Sequence, residues 1–358
     1  MNGKYPVIEA NLGLLRRNVA VIKAACDRHG VQLAAVTKVT CADKRIADAL
    51  VKAGVDMLAD SRTENLGQLP RNVPRLSLRI ADPRQAEDIV LNSEVSLQSG
   101  IPAIKALGEA AKRLKKHHHI VLMIDLGDLR EGMYYIDRAL IHEVAAAVMA
   151  CSHLTLTGVG TNLTCFGGIL PDDNNLGILL DIAQDIRARH GISLPLVSGG
   201  NSSSLHLLFE GRLPKGINHL RIGEGLMLGM DTSIGQPFPQ LSQQVFTLKA
   251  RLVEVYDKPS KPEGKTGPNA FGEEVHFEDL GPMRRGILAI GRQDTDAEGL
   301  RPLDENVAII GASSDHLLVD LSRALQYQAG DALSFTPSYG ALLKAYTSAY
   351  VAREITRG

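Results

Sequence analysis

Along residues 10–228, short apolar runs alternate with stretches in which apolar side chains recur every three to four positions. The first periodic stretch, NLGLLRRNVAVIKAACDRHG, puts Leu12, Leu15, Val19, Ile22 and Cys26 on one stripe and stops at Gly30, which predicts a helix. VQLAAVTK follows as a strand, then a helix over about 43–53 that ends at Gly54. VDMLAD, PRLSLRI, VSLQS, HIVLMIDL, HLTLTGVG, LPLVSGG and INHLRIG read as further strands. Helical patterns lie between them, one opened by the Asp82-Pro83 pair and the last by Asn201-Ser202. Eight strand-then-helix units in series predict a closed (β/α)8 TIM barrel of parallel strands.

Past EGLMLGMDTSIGQP the rhythm changes. QVFTLKARLVEVY, RRGILAIGR, NVAIIGASSDHLLVDL and DALSFTPSY read as strands without helices between them. The expected division is therefore a barrel over 1–230 and a C-terminal, mostly β domain over 231–358. YPVIEANL at the start also reads as a strand, so residues 1–10 are candidates to join that second domain. DKPSKPEGKTGPNAFGEE, rich in Pro, Gly and Lys, reads as a long exposed or interface loop.

The 358 residues are 44% apolar and 22% charged, as expected of a globular protein. The 39 basic side chains nearly cancel the 40 acidic ones, which gives no sign of nucleic acid or an anionic membrane as partner. Cys26, Cys41, Cys151 and Cys165 form no CxxC pair, so neither a disulfide framework nor a zinc ribbon is indicated. The opening residues lack a signal-peptide pattern and no run approaches a membrane span, so a cytoplasmic address is expected. Three adjacent histidines at 117–119 cannot all face one ion on a regular element, and no metal is expected.

Candidate chemistry begins at LAAVTKVTCAD, where a buried-looking strand ends on Lys38. Such a lysine either snorkels to solvent or stands at the edge of a reactive cavity. TIM barrels carry their chemistry on the loops after the strands, often with phosphate bound after strands seven and eight. The seventh predicted strand runs into SGGNSSSL, offering Asn201 and Ser202 at a helix start, and the eighth into LRIGEG, with Arg221 and Gly223. The fifth ends in IDLGDLREG, with Arg130. An amine, a phosphate cradle and two arginines on one face suit a lysine that binds a phosphorylated aldehyde.

With VIEANLGLLRRN, AVTKVTCAD, DLGDLREGM, GVGTNLTC, SGGNSSSL, LRIGEGLMLG, ILAIGRQD and GASSDHLLVDL in order, nearly the whole chain resembles the alanine racemase-like family of pyridoxal 5′-phosphate enzymes, and within it the ornithine racemase branch. The resemblance implies Lys38 as the Schiff-base lysine and Arg221 as donor to the cofactor's ring nitrogen. It implies Arg130 beside the phenolic oxygen and the substrate carboxylate, and Asn201, Ser202, Gly223, Glu224 and Tyr339 at the phosphate. It further implies a homodimer with a shared active site and amino-acid racemisation with two bases, Lys38 being one.

The chain departs from the family at several positions. The region where the family carries its second base, a tyrosine, runs NAFGEEVHFEDLG, in which His276 and Asp279 are the chemical replacements; Cys41 and Asp315 are further candidates. Asn162 stands where alanine racemases place a histidine near the ring, and Arg292 where they have an entrance tyrosine. The branch points to ornithine or another basic amino acid, whose distal amine needs an acidic partner; Asp128, Glu131, Glu278 and Asp315 are the candidates. The competing expectations are a D-amino-acid aldolase or lyase on the same scaffold and a non-catalytic cofactor carrier.

Overall fold

The computed structural model describes residues 4–268 and 271–357. The chain forms two compact units, Gly13–Gln243 and Met1–Leu12 with Gln244–Gly358. In chain order the first ten strands are β1 Val7–Asn11, β2 Gln32–Val36, β3 Met57–Asp60, β4 Arg75–Ser77, β5 Val95–Gln98, β6 His118–Asp125, β7 Met133–Tyr134, β8 Leu154–Gly160, β9 Leu196–Ser198 and β10 His219–Ile222. All but β1 belong to the first unit, the barrel.

Strands β2, β3, β4, β5, β6, β8, β9 and β10 pair in that order, all parallel, and β10 closes the ring on β2 with Ala34 opposite Arg221. The short β7 adds to β6 outside the ring. Every residue of β3, β4, β5, β9 and β10 is buried, because helices cover the outer face while side chains fill the inside. Ala34, Val36, Ala59, Leu76, Leu97, Val121 and Met123 belong to one cluster of that core. Strands buried on both faces are why these segments read as unbroken apolar runs.

The barrel unit runs past residue 230 to Gln243, and a buried side chain of the first helix holds that stretch. Asn18 donates to the carbonyls of Leu226 (3.1 Å) and Ser242 (2.9 Å) and accepts the Ser242 N–H (2.8 Å), fastening the stretch after the last barrel helix to the first. In the second unit β1 lies between Phe246–Pro259, antiparallel to it, and Ala352–Thr356, parallel to it. The DALSFTPSY stretch differs from its predicted strand. The strand stops at Pro337, and the Ser338 side chain accepts the Ala341 N–H to cap a helix over Tyr339–Thr347.

Candidate active site

The site is built where the barrel strands end. After β2, Lys38 opens a single tight turn, Lys38–Thr40, closed by Cys41 and Ala42 in the left-handed region at φ 48° and 53°. Two consecutive non-glycine residues there are costly, and strain of this kind concentrates at functional sites. Thr37, fully buried, donates to Asp60 at the end of β3 (2.7 Å). Asp60 also takes the Arg62 N–H and the Asn65 amide, yet burial raises its carboxyl above the usual range. Lys38 itself is exposed.

Arg221, on the neighbouring β10, is 2% exposed. Its Nη1 donates to Ser198 Oγ and its Nη2 to the Thr161 carbonyl (2.6 Å) and Asn162 Oδ1 (2.7 Å). Gly160 makes room for it: a Cβ there would lie 3.4 Å from Nη1 and 3.1 Å from Ser198 Cβ. Burial pushes the guanidinium down to about 10, which leaves it cationic at neutral pH. Ser198 Oγ, which accepts from Arg221, is also hydrogen-bonded to His219 Nδ1 (2.7 Å). Burial pushes the pKa of His219 down to about 3, so it stays neutral.

Asn162 continues the chain of contacts. Its Nδ2 donates to Glu131 Oε1, and Glu131 grips Arg130 as a fork, Nη2 to Oε1 and Nε to Oε2, both 2.8 Å. Asp128 is 1% exposed and accepts the N–H groups of Cys165 (3.1 Å), Phe166 (2.9 Å) and Ile169 (3.2 Å), folding the loop after β8 around itself. The two acidic candidates nearest Arg130 in sequence are thus already committed, Asp128 to a loop and Glu131 to Arg130 and Asn162.

At the end of β9, Gly200 has φ +110°, a conformation that favours glycine, and the chain then turns into Asn201. Asn201 Oδ1 accepts the Ser203 N–H (2.8 Å), while its amide donates to the Leu163 carbonyl (2.9 Å) and to Cys165 Sγ (3.2 Å). Ser202 Oγ accepts the N–H groups of Gly223 (3.3 Å) and Gly225 (3.1 Å), tying the loops after β9 and β10 together. The half-buried Glu224 carboxyl is raised by burial, with the Lys38 charge acting against that.

Lys38, Arg130, Asn162, Asn201, Ser202, Arg221, Gly223 and Glu224 therefore all stand on loops or strand ends at one rim of the barrel. The remaining sequence-predicted residues belong to the second unit. His276, Glu278 and Asp279 lie on an exposed stretch without regular secondary structure, where Asp279 accepts the Gly281 N–H (3.1 Å). Asp315 is exposed and accepts from Ser314 Oγ (2.8 Å). Tyr339 opens a helix, and Arg292 pairs with Glu298 (2.8 Å) and Glu273 (3.2 Å) over the Phe271 ring. Sequence reading missed Ser198, Thr161 and His219 as the support of Arg221; the signal was Ser198 at the last position of its strand.

The donor set suits pyridoxal phosphate. Arg221 spends three of its N–H groups on protein acceptors, and a guanidinium has five, which leaves donors for a ring nitrogen with a lone pair. Ser202 Oγ already accepts twice, so its proton is left to donate to an anion.

A sequence model described as "Alanine racemase, N-terminal domain" matches residues 10–231. The chain belongs to the alanine racemase family. The family's cofactor is pyridoxal 5′-phosphate. Within it, the chain is 42% identical to an ornithine racemase from Acetoanaerobium sticklandii, over 98% of this chain and 99% of that one. It is 37% identical to a lysine racemase from Thermotoga maritima, over 97% of each. Alanine racemase from Streptomyces lavendulae superposes with a TM-score of 0.75 at 19% identity, covering 100% of this chain and 98% of that one. Alanine racemase from Bartonella henselae, solved with covalently bound pyridoxal phosphate, gives 0.73 at 16%, covering 98% and 99%. At that identity the solved structures speak for the fold, a family barrel with its β-rich partner domain.

Proposed function

We propose that this protein interconverts the L- and D-enantiomers of a basic α-amino acid, ornithine foremost, using pyridoxal 5′-phosphate. The observation that carries the reading is the pairing of adjacent strands β2 and β10: the strand that leads into Lys38 neighbours the one that carries the buried Arg221. The ornithine and lysine racemases among its relatives support the substrate class.

Lys38 Nζ holds the cofactor at its aldehyde carbon. Arg221 donates to the ring nitrogen and, being a donor that does not give up its proton, leaves that nitrogen unprotonated. Ser202, Asn201 and the backbone of Gly223 and Glu224 hold the phosphate, and Arg130 orients the substrate carboxylate. Bound there, pyridoxal phosphate supplies an electron-withdrawing ring that acidifies the substrate's α-hydrogen. Lys38 Nζ takes or returns that proton on one face. The opposite face needs a second base, and His276 and Asp279 are the titratable candidates. With Asp128 and Glu131 committed elsewhere, Asp315 and Glu278 remain for the substrate's distal amine.

The protein acts as a cytoplasmic homodimer with a shared site. Supporting this, Leu129, Ile136, Phe166 and Leu170, on the loops after β6, β7 and β8, are 64%, 64%, 76% and 48% exposed, large apolar side chains of the kind a partner covers.

The test is the absorbance of purified protein with pyridoxal phosphate, before and after borohydride, for parent and Lys38→Ala, followed by L-ornithine in deuterated water. The parent shows a visible band that borohydride fixes and incorporates deuterium at Cα. Lys38→Ala loses the band, and exchange falls by on the order of 1,000-fold. A band without deuterium incorporation would make the protein a cofactor carrier, and no band at all would refute the reading.

A further inference from the structure

We propose, building on the racemase reading above, that Glu131 is a positioning residue whose single carboxylate holds both site arginines, Arg130 directly and Arg221 through the Asn162 amide. The geometry is explicit at every link. Glu131 Oε1 accepts from Arg130 Nη2 and from Asn162 Nδ2, and Oε2 accepts from Arg130 Nε. Asn162 Oδ1 accepts from Arg221 Nη2.

The amide has only one orientation that works. Arg221 can only donate and an ionised Glu131 can only accept, so Oδ1 must face the guanidinium and Nδ2 the carboxylate. A flipped amide would set donor against donor at one end and acceptor against acceptor at the other. Asn162 thus lies between opposite charges, with its dipole aligned to both.

The arrangement answers a question that Arg221 raises. A buried charge needs a counter-charge, yet its hydrogen-bond acceptors, a serine hydroxyl, a peptide carbonyl and an amide, are all neutral. Glu131 supplies the counter-charge one residue removed. It also fixes the plane of Arg130, whose side chain is 42% exposed and would otherwise be free to swing. One substitution at Glu131 therefore loosens the groups assigned to the two ends of the cofactor ring.

The test uses Glu131→Gln, Glu131→Asp, Asn162→Ala and the Glu131→Gln/Asn162→Ala double variant, each loaded with pyridoxal phosphate. Three quantities are measured: the borohydride-fixable band, its titration with pH, and kcat and KM for racemisation. Glu131→Gln is expected to keep the band, since Lys38 is untouched. The band's pH midpoint moves down, because losing a negative charge disfavours protonation nearby. The value of kcat falls by on the order of 100-fold, the cost of loosened positioning. Glu131→Asp, which keeps the charge, recovers the midpoint, and the double variant is no worse than the larger single effect. An unchanged midpoint and kcat in Glu131→Gln, or effects of the two single changes that simply add, would overturn the proposal. If Glu131→Gln does not fold, Asn162→Ala decides through kcat: it cuts the link from Glu131 to Arg221 while leaving the charge, so kcat falls with the midpoint kept, and an unchanged kcat overturns the proposal. A parent protein without the band defeats the racemase reading itself, whereas a parent band with an unaltered Glu131→Gln defeats only the role of Glu131.

Discussion

Replacing Asp128 by Asn tests whether this residue organises a loop or waits for a substrate amine. The carboxylate is 1% exposed, and its Oδ2 takes the N–H groups of Phe166 (2.9 Å) and Cys165 (3.1 Å) while Oδ1 takes that of Ile169 (3.2 Å). An amide of the same shape keeps one acceptor and turns an NH2 toward the other donors. Hydrogen bonds to a charged acceptor are worth about 1.5–3 kcal/mol each. The loop is exposed on its far side, so a freed N–H can find water and part of that loss is recovered. A net local destabilisation of about 2 kcal/mol follows, or roughly a 30-fold rise in the open population of the loop. The assay is native-state hydrogen exchange, read at Cys165, Phe166 and Ile169, with urea unfolding alongside. Protection at those amides should fall by that factor while the barrel strands keep theirs. If protection is unchanged and only the KM for ornithine rises, Asp128 binds the substrate amine and the loop argument is wrong.

Acid sensitivity has a named source in His219. Its folded pKa, lowered to about 3 by burial, lies below its unfolded value, so the unfolded chain binds the extra proton first. Stability should fall as pH drops through about 6.5 toward 3, by up to ~1.4 kcal/mol per unit from this group. His219→Asn, which keeps a hydrogen-bonding group for Ser198, should flatten that part of a urea-unfolding series against pH; an unaltered slope would refute it. Gly160→Ala puts a methyl 3.1 Å from Ser198 Cβ and 3.4 Å from Arg221 Nη1, and should cost about 1–3 kcal/mol in a melting experiment. It should also weaken cofactor retention on dialysis, and retention equal to the parent's would show that Arg221 does not feel the change.

The barrel was legible in the sequence because parallel strands buried on both faces leave continuous apolar runs, and the helices between them carry readable stripes and stops. The rim position of Lys38, Arg130, Asn201, Ser202, Arg221 and Gly223 followed from the rule that strand ends carry the chemistry. The partners of those residues did not. Glu131 and Asp128 sit three positions apart in DLRE, and nothing in that spelling says that one reaches Asn162 and the other Phe166. The answer depends on how the loop after β8 returns across the loop after β6, which is tertiary geometry without a local signature. The helix after Pro337 was missed for a local reason: its Ser338 cap follows directly on an alternating strand, and the change of period falls between adjacent residues.

The order of strands in the second unit also constrains folding. The central place of β1, between Phe246–Pro259 and Ala352–Thr356, means that a strand preceding the barrel is completed only by strands that follow it. The barrel, closed by residue 243, can fold while β1 is still unpaired. A fragment ending near residue 260 should carry a protease-resistant barrel behind a cleavable β1 segment, which the strand at Ala352–Thr356 protects in the longer chain.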